Sequence, residues 1–126
     1  MRRVLDASAL LVLLNAESGA EVVSRALPQG VISAVNLSEV IAKLAEAGMP
    51  EAAARQVIGG LAVEVVPFDA EQSYIAGMLR PLTIHLGLSL GDRACLALAR
   101  LLSSPALTTD RVWAQLNLGI EIEIVR

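Results

Sequence analysis

Residues 4–14 read Val-Leu-Asp-Ala-Ser-Ala-Leu-Leu-Val-Leu-Leu, an apolar pair, an acid and then a longer apolar run. Val4-Leu5 predicts a short buried strand that ends at Asp6. Ser8 is a residue type that caps helices, so we predict a helix from there to about Asn15. A strand that leads directly into an apolar helix is the unit from which α/β proteins are built.

The rest of the chain repeats this order of strand and helix. Further strands are predicted at 31–34, 62–66, 106–108 and 120–125, and the alternating last strand should be the most exposed. Helices are predicted at 18–27, 36–48, 50–58, 69–84, 89–102 and 110–119, with Pro81 interrupting the fourth of these. This order predicts a three-layer α/β/α sandwich with a mainly parallel central sheet, in a single domain spanning residues 1–126.

The composition fits a core of small aliphatic side chains. Hydrophobic residues make up 55% of the 126 residues but aromatic residues only 2%, so Val, Ile, Leu and Ala must fill the core. Such side chains suit parallel strands that are buried on both faces. The helix at 93–102 is apolar almost all round, which predicts a position deep in the fold. The high apolar content also argues against disorder.

The charge bears on possible partners. A formal net charge of −3 argues against a protein that holds nucleic acid by positive charge alone. It is compatible with an enzyme that acts on nucleic acid through a bound cation, because a group of carboxylates repels phosphate until the cation is present.

Three features predict a soluble, cytoplasmic protein with no membrane association. Cys95 is the only cysteine, so no intrachain disulfide can form, which suits a reducing compartment. The apolar stretch Ala9–Leu14 is too short to span a membrane. It also lacks the layout of a signal peptide, since Asp6 stands where the apolar region should begin.

Four acidic residues fall where a parallel sheet would bring them together: Asp6, Glu39, Asp92 and Asp110. Asp6 and Asp110 follow predicted strands, while Glu39 and Asp92 lie in the predicted first turns of helices that start at the same edge. Ligands bind at this carboxyl edge in open parallel sheets. Carboxylate oxygens are ligands that Mg²⁺ prefers, and a bound Mg²⁺ can activate water and offset the charge of a phosphodiester.

A structural reading of the acids stays open. Glu39 and Asp92 each complete a helix capping box, with Asn36 and Ser89 as the caps, and that alone would explain either acid. Asp110 could likewise be only a helix cap. Asp69 also starts a helix after a strand, and we assign it no catalytic role.

Other residues could support such a site. Ser8 and Thr108 lie two residues from Asp6 and Asp110 and could hold ligands or water in place. Arg93 and Arg111 each follow a candidate acid, and could either contact substrate phosphates or pair with the acids.

No group of His and Cys residues is present, which disfavours zinc. His85 is predicted to lie in a loop, Cys95 in the core, and Trp113 to pack against the fold rather than stack on a base.

With these acids placed, the chain resembles the PIN-domain family, and more closely its VapC-type toxins from type II toxin–antitoxin systems. Each matching segment alone is common, but together, in this order and spacing, they are specific. The matching segments are Val-Leu-Asp-Ala-Ser-Ala at 4–9, Asn-Leu-Ser-Glu-Val at 36–40, Leu-Gly-Asp-Arg-Ala-Cys-Leu-Ala-Leu-Ala at 90–99 and Leu-Thr-Thr-Asp at 107–110.

The resemblance implies a metal-dependent endoribonuclease. Asp6, Asp92 and Asp110 would hold Mg²⁺, or Mn²⁺, and Glu39 would act through water or a second ion to help activate the attacking water. It also implies an RNA substrate, a homodimer, and a small antitoxin protein whose C-terminal segment covers the active site. The RNA target is open.

Two other functions are considered. A phosphatase with Asp6 as nucleophile would need a second acid nearby and a positioned lysine. Position 8 is Ser8, and the only lysine, Lys43, lies within a predicted helix. A catalytically silent PIN-like protein-interaction module is the other alternative, and the presence of all four acids argues against it.

Overall fold

The computed structural model describes all 126 residues, which form five strands and seven α-helices. The strands are β1 (Arg3–Leu5), β2 (Gly30–Ser33), β3 (Glu64–Val66), β4 (Ala106–Thr108) and β5 (Ile122–Ile124). The helices are α1 (Ala7–Leu14), α2 (Ala20–Ala26), α3 (Ala34–Glu46), α4 (Glu51–Gly60), α5 (Ala70–Met78), α6 (Arg80–Thr83) and α7 (Leu90–Leu101). Short 3₁₀ helices cover Leu27–Gln29, Ile84–Leu86 and Arg111–Gln115.

The five strands form one sheet in the order β3-β2-β1-β4-β5, and every neighbouring pair is parallel. The central strand β1 aligns Leu5 with Ile32 on one side and with Leu107 on the other. The predicted α/β sandwich with a mainly parallel sheet is confirmed. The chain order reverses direction between β1 and β4, and such a reversal opens a crevice at the carboxyl ends of the strands.

Successive residues of β1 point to opposite faces of the sheet and enter two separate core clusters. Leu5 packs with Ile32 and Leu107 in a cluster that includes residues of α1, α2, α3 and α4. Val4 packs with Val31 and Ala106 in a second cluster, formed with Leu79, Leu88, residues of α7 and the C-terminal segment. Leu11, Leu14, Val22 and Val23, apolar residues of the early helices, belong to or pack on the first cluster.

Helix α7 lies deep in the fold, as its apolar sequence predicts. Every residue from Ala94 to Ala99 is buried, and this includes Cys95. Trp113 is fully buried in the second cluster and therefore packs the core, as predicted. His85 lies exposed in a 3₁₀ helix rather than in an irregular loop.

Two predicted helix caps are wrong. Helix α1 is capped by Asp6, whose carboxylate accepts a hydrogen bond from the Ala9 N–H, and Ser8 is already inside the helix. Helix α3 is capped by Ser33, three residues before the predicted cap, so Asn36 lies in its first turn and Glu39 in its second. In both cases a side chain at the strand end caps the helix directly, because no loop separates strand from helix.

Several element boundaries also differ. The helix predicted at 69–84 is split into α5 and α6 before Pro81, which is the predicted interruption. Pro50 precedes α4 as its cap residue, and the last short helix ends at Gln115 rather than at Gly119. The most exposed strand is β3, not β5. Both are edge strands, but Glu64 and Val65 of β3 are exposed, whereas all three residues of β5 are half-buried.

No helix combines the length and the apolar character needed to cross a membrane.

Gly19 should be the glycine most sensitive to substitution. It begins α2 with φ = 98°, and a Cβ there would overlap the Val125 carbonyl oxygen and lie 3.2 Å from its carbon. Gly48 has a similar φ of 95° but nothing within 4 Å of a built Cβ, which makes it a matched control. We expect Gly48→Ala to cost about 1–2 kcal/mol from backbone strain alone. Gly19→Ala should cost about 1–3 kcal/mol more, because its Cβ also meets backbone. Urea denaturation of both variants tests this, and equal losses would show that the Val125 contact relaxes freely.

Candidate active site

A small cleft of about 210 Å³ opens at the carboxyl edge of the sheet. Its lining contains all four predicted acids together with Ala7, Ser8 and Asn36. Asp6 directly follows β1, and Asp110 lies two residues after β4. These two strands flank the reversal in strand order, so the cleft lies where ligands bind in open α/β sheets.

Asp6 is the most buried of the four acids, with 5% of its surface exposed. Its Oδ1 accepts hydrogen bonds from Ser8 Oγ (2.7 Å) and the Ala9 N–H (2.8 Å), and its Oδ2 accepts one from Thr108 Oγ1 (2.5 Å). Burial nevertheless raises the pKa of Asp6 to about 6, the three hydrogen bonds lower it, and the charge of Asp92 raises it further. Burial raises the pKa of Asp6 more than the three hydrogen bonds lower it, and no cationic side chain is among the causes of the shift.

Ser8 and Thr108 connect the two strand ends. Thr108 Oγ1 donates to Asp6 and accepts from the Asp110 N–H at 3.0 Å. Ser8 Oγ donates to Asp6 and accepts from the Thr109 N–H at 3.0 Å. Each hydroxyl thus bridges Asp6, at the end of β1, to the backbone that follows β4. These bonds tie Asp6 to the segment that carries Asp110.

Asp92 and Asp110 each accept a backbone N–H at the start of the helical element in which they lie. Asp92 Oδ2 accepts from the Ser89 N–H while Ser89 Oγ accepts from the Asp92 N–H, so the predicted capping box at the start of α7 is confirmed. Asp110 Oδ1 accepts from the Val112 N–H at the start of a 3₁₀ turn. In each carboxylate one oxygen makes this bond, and the other has no hydrogen-bond partner in the protein.

Glu39 is exposed and reaches the cleft from the second turn of α3. Its Oε1 accepts a hydrogen bond from Asn36 Nδ2 at 2.9 Å. The same Asn36 amide group also donates to the Gly91 carbonyl oxygen at 2.9 Å, which joins α3 to the first turn of α7. Glu39 does not complete a capping box, so the capping-box explanation for this acid is wrong.

A family model described as PIN domain matches residues 3–118, which is most of the chain. The chain belongs to the PIN-domain family.

Solved structures show the same architecture. DNA-bound VapBC from Salmonella typhimurium is 21% identical, with a TM-score of 0.76 over 98% of this chain and 97% of that chain. VapBC-1 from nontypeable Haemophilus influenzae is 20% identical, with a TM-score of 0.74 over 99% and 98%. VapC20 from Mycobacterium tuberculosis, a sarcin-ricin loop cleaving toxin, is 19% identical, with a TM-score of 0.71 over 94% and 98%. At these identities the likeness establishes the fold. No curated protein matches the chain at a significant level.

None of the four acids of this PIN domain forms an ion pair with a cationic side chain. Arg93 directs Nη1 to the Ala76 carbonyl oxygen, a contact that ties α7 to α5. A phosphate contact by Arg93 would require its side chain to leave that position. Arg111 is exposed beside Asp110 and makes no side-chain hydrogen bond or ion pair.

The donor set suits Mg²⁺ better than zinc. No three His, Cys, Asp or Glu side chains already form a compact ligand cage. Zinc sites in proteins usually need three or four such ligands, whereas Mg²⁺ keeps several waters and is held by one or two carboxylates. Asp6, Asp92 and Asp110 each bring a carboxylate to the cleft, so they fit a largely hydrated divalent ion.

The only lysine lies outside this cleft. Lys43 projects from α3 with two thirds of its side chain exposed and lies 3.8 Å from Glu46. A phosphatase with Asp6 as nucleophile would therefore lack the lysine that its chemistry requires.

Two residues that lie against the Glu39 carboxylate were not predicted to do so. Asn36 was interpreted as a helix cap, and Gly91 was not singled out. The i, i+3 spacing of Asn36 and Glu39 within one helix could have indicated that their side chains meet. Nothing in the sequence signals the contact with Gly91, because it joins residues 55 positions apart.

Proposed function

We propose that this PIN domain is a Mg²⁺-dependent endoribonuclease, the toxin of a type II toxin–antitoxin pair. The observation that supports this most directly is the cleft itself, where four carboxylates meet without a compensating cation. Such an arrangement costs stability in the free protein. A bound divalent cation would compensate the charge of these carboxylates. Mn²⁺ is an alternative to Mg²⁺.

In this proposal Asp6, Asp92 and Asp110 hold the metal ion. When bound, Mg²⁺ lowers the pKa of a water molecule and offsets charge on the phosphodiester. Glu39, exposed at the cleft, would bind the ion through a water molecule or bind a second ion, and would help to activate the attacking water. Asp6 binds the ion as a carboxylate, so its raised pKa sets protons in competition with metal below about pH 6.

The remaining predicted residues orient these groups or the substrate. Ser8 and Thr108 hold Asp6 through hydrogen bonds, as a second layer around a ligand does. Arg111 is placed to contact a substrate phosphate, because it is exposed and adjacent to Asp110.

An RNA substrate and a small antitoxin are part of the proposal. The similar solved structures from Salmonella and Haemophilus are VapBC complexes, and VapC20 is described as cleaving the sarcin-ricin loop. Helix α3 carries Glu39 and also provides Leu37 and Ile41 to a larger groove of about 650 Å³ against α4. An antitoxin segment seated in that groove could continue over the cleft. We further propose a cytoplasmic homodimer.

Asp6→Asn tests the proposal, with Asp69→Asn as its matched control. Asp69 also caps a helix, accepting from the Gln72 N–H, but lies outside the cleft. Purified protein is incubated with pools of transfer, ribosomal and messenger RNA, in Mg²⁺ and in EDTA. Since a metal ion contributes several kcal/mol to such reactions, Asp6→Asn should slow cleavage by about 10²–10³-fold or more. Asp69→Asn should cleave normally.

Full activity of Asp6→Asn, or equal cleavage in EDTA, would contradict the proposed metal site. Absence of cleavage by the folded, antitoxin-free protein on every RNA class would favour the interaction module instead.

A further inference from the structure

Asn36 makes an unusual set of contacts for a buried amide. It is 1% exposed, and both of its amide hydrogens are used, one toward Glu39 Oε1 and one toward the Gly91 carbonyl oxygen. Its Oδ1 is buried and has no hydrogen-bond partner. The opposite orientation of the amide would place Oδ1 against two acceptors, so the orientation follows from its neighbours.

An unpartnered buried carbonyl oxygen destabilises the folded state. An apolar residue at this position would avoid that cost and could still pack between α3 and α7. Packing alone therefore does not explain an amide side chain at position 36. The two groups that it joins, the Glu39 carboxylate and the Gly91 carbonyl oxygen, offer an explanation. Asn36 connects Glu39, the only candidate acid on α3, to the first turn of α7, which carries Asp92.

Gly91 completes this arrangement from the other side. A Cβ at Gly91 would lie 2.6 Å from the Glu39 carboxyl carbon, far inside van der Waals contact. The Glu39 carboxylate thus lies against the α7 backbone, in space that only glycine leaves free. We call Asn36, Glu39 and Gly91 the Glu39 clamp.

We propose that Asn36 is a positioning residue that sets the place of the Glu39 carboxylate in the cleft, with Gly91 leaving the room for it. This inference rests on the proposed function. Without the clamp, an exposed glutamate side chain would sample several rotamers. With it, Glu39 is held beside α7, where it shares the cleft with Asp6 and Asp92. A merely structural tie would join the two helices without affecting metal or water in the cleft.

The test measures Mn²⁺ affinity by electron paramagnetic resonance, which requires no cleavage. Asn36→Leu removes the amide, and Gln72→Leu is the matched control. Gln72 is also 1% exposed and also has an unpartnered side-chain oxygen, and its side chain donates only to the Pro67 carbonyl, outside the cleft. Asn36→Leu should lower the Mn²⁺ affinity by about 10-fold or more, because losing a group that orients a metal ligand typically has an effect of this size. Gln72→Leu should leave Mn²⁺ affinity unchanged.

Coupling to Glu39 separates positioning from a general effect. Glu39→Gln should weaken Mn²⁺ binding, and adding Asn36→Leu to it should weaken binding no further, because the amide acts through the carboxylate. The pH profile of the cleavage rate should change in Asn36→Leu and not in Gln72→Leu. If Asn36→Leu does not fold, Gly91→Ala disturbs the same carboxylate with Asn36 intact and should produce the same loss.

The outcomes distinguish the two proposals. Wild-type Mn²⁺ affinity in Asn36→Leu or Gly91→Ala, or additive losses with Glu39→Gln, would overturn the clamp and leave the nuclease proposal in place. Absence of Mn²⁺ binding by the wild-type protein would overturn the metal-dependent nuclease, and the clamp with it.

Discussion

Asp6→Asn should make the metal-free protein more stable by about 2–3 kcal/mol at pH 7, even though it removes a residue that we propose to be essential for activity. The pKa of Asp6 is raised to about 6, mainly by burial, so ionising this carboxylate at neutral pH costs free energy in the folded state. Asparagine has a similar shape, keeps an acceptor for Ser8 and the Ala9 N–H, and carries no charge.

The direction in which stability changes with pH follows from the number of protons that the folded and unfolded states bind. The unfolded chain releases the Asp6 proton near the ordinary aspartate pKa of 3.8, while the folded protein keeps it to about pH 6. Between these values the folded state binds more protons, so the stability of the wild-type protein should fall as pH rises through this window. The gain from Asp6→Asn should shrink to under about 1 kcal/mol at pH 4, where the folded wild-type protein holds the proton and the unfolded chain is only about half ionised.

Urea denaturation in EDTA at pH 4 and pH 7 measures this difference. Mg²⁺ should then stabilise the wild-type protein at pH 7 and have little effect on Asp6→Asn. A variant that is no more stable than the wild-type protein at pH 7 would mean that the Asp6 charge is compensated by groups other than a metal ion.

Thr108→Val should destabilise the protein by about 2–4 kcal/mol at pH 7. Thr108 is fully buried, and its hydroxyl both donates to Asp6 Oδ2 and accepts from the Asp110 N–H. Valine has nearly the same shape, so it leaves a buried carboxylate oxygen and a backbone donor without these partners. The pKa of Asp6 should rise further, because a hydrogen bond that lowers it is lost.

Thr83→Val is the matched control for this substitution. Thr83 is also fully buried, but its hydroxyl donates to the Leu79 carbonyl oxygen, which also accepts from the Leu82 N–H. Its loss leaves that carbonyl partnered and should cost about 1 kcal/mol or less. Equal losses in the two variants, by urea denaturation, would show that the Asp6–Thr108–Asp110 connection adds nothing beyond an ordinary hydroxyl bond. Cleavage should fall only in Thr108→Val.

A structural role and a catalytic role are compatible for the same acids in this fold. Asp6, Asp92 and Asp110 each accept a backbone N–H at the start of a helical segment with one oxygen. Helix N-termini carry partial positive charge, which favours carboxylates there. The same backbone that brings these helix starts to one edge of the sheet therefore also supplies a place for acids. A capping bond does not argue against a role in metal binding.

Much of the architecture was predictable because it depends on local pattern. Short apolar runs alternating with helical segments indicated a parallel sheet between helix layers, and the apolar sequence of α7 indicated its burial. The placement of Asp6 and Asp110 at one edge followed from the rule that the carboxyl ends of parallel strands meet there. These features are determined by side chains near each other in the sequence.

Other features were decided only by the tertiary structure. Asp6 rather than Ser8 caps α1, since the strand leads into the helix without a loop. Arg93 is bound to α5, and Asn36 bonds to Gly91 on another helix, because both contacts exist only once α7 is packed against its neighbours. The raised pKa of Asp6 likewise depends on burial by the whole fold. The sequence by itself determined which acids meet at the sheet edge, and packing decided how each is held, because hydrogen bonds and desolvation depend on distances between remote segments.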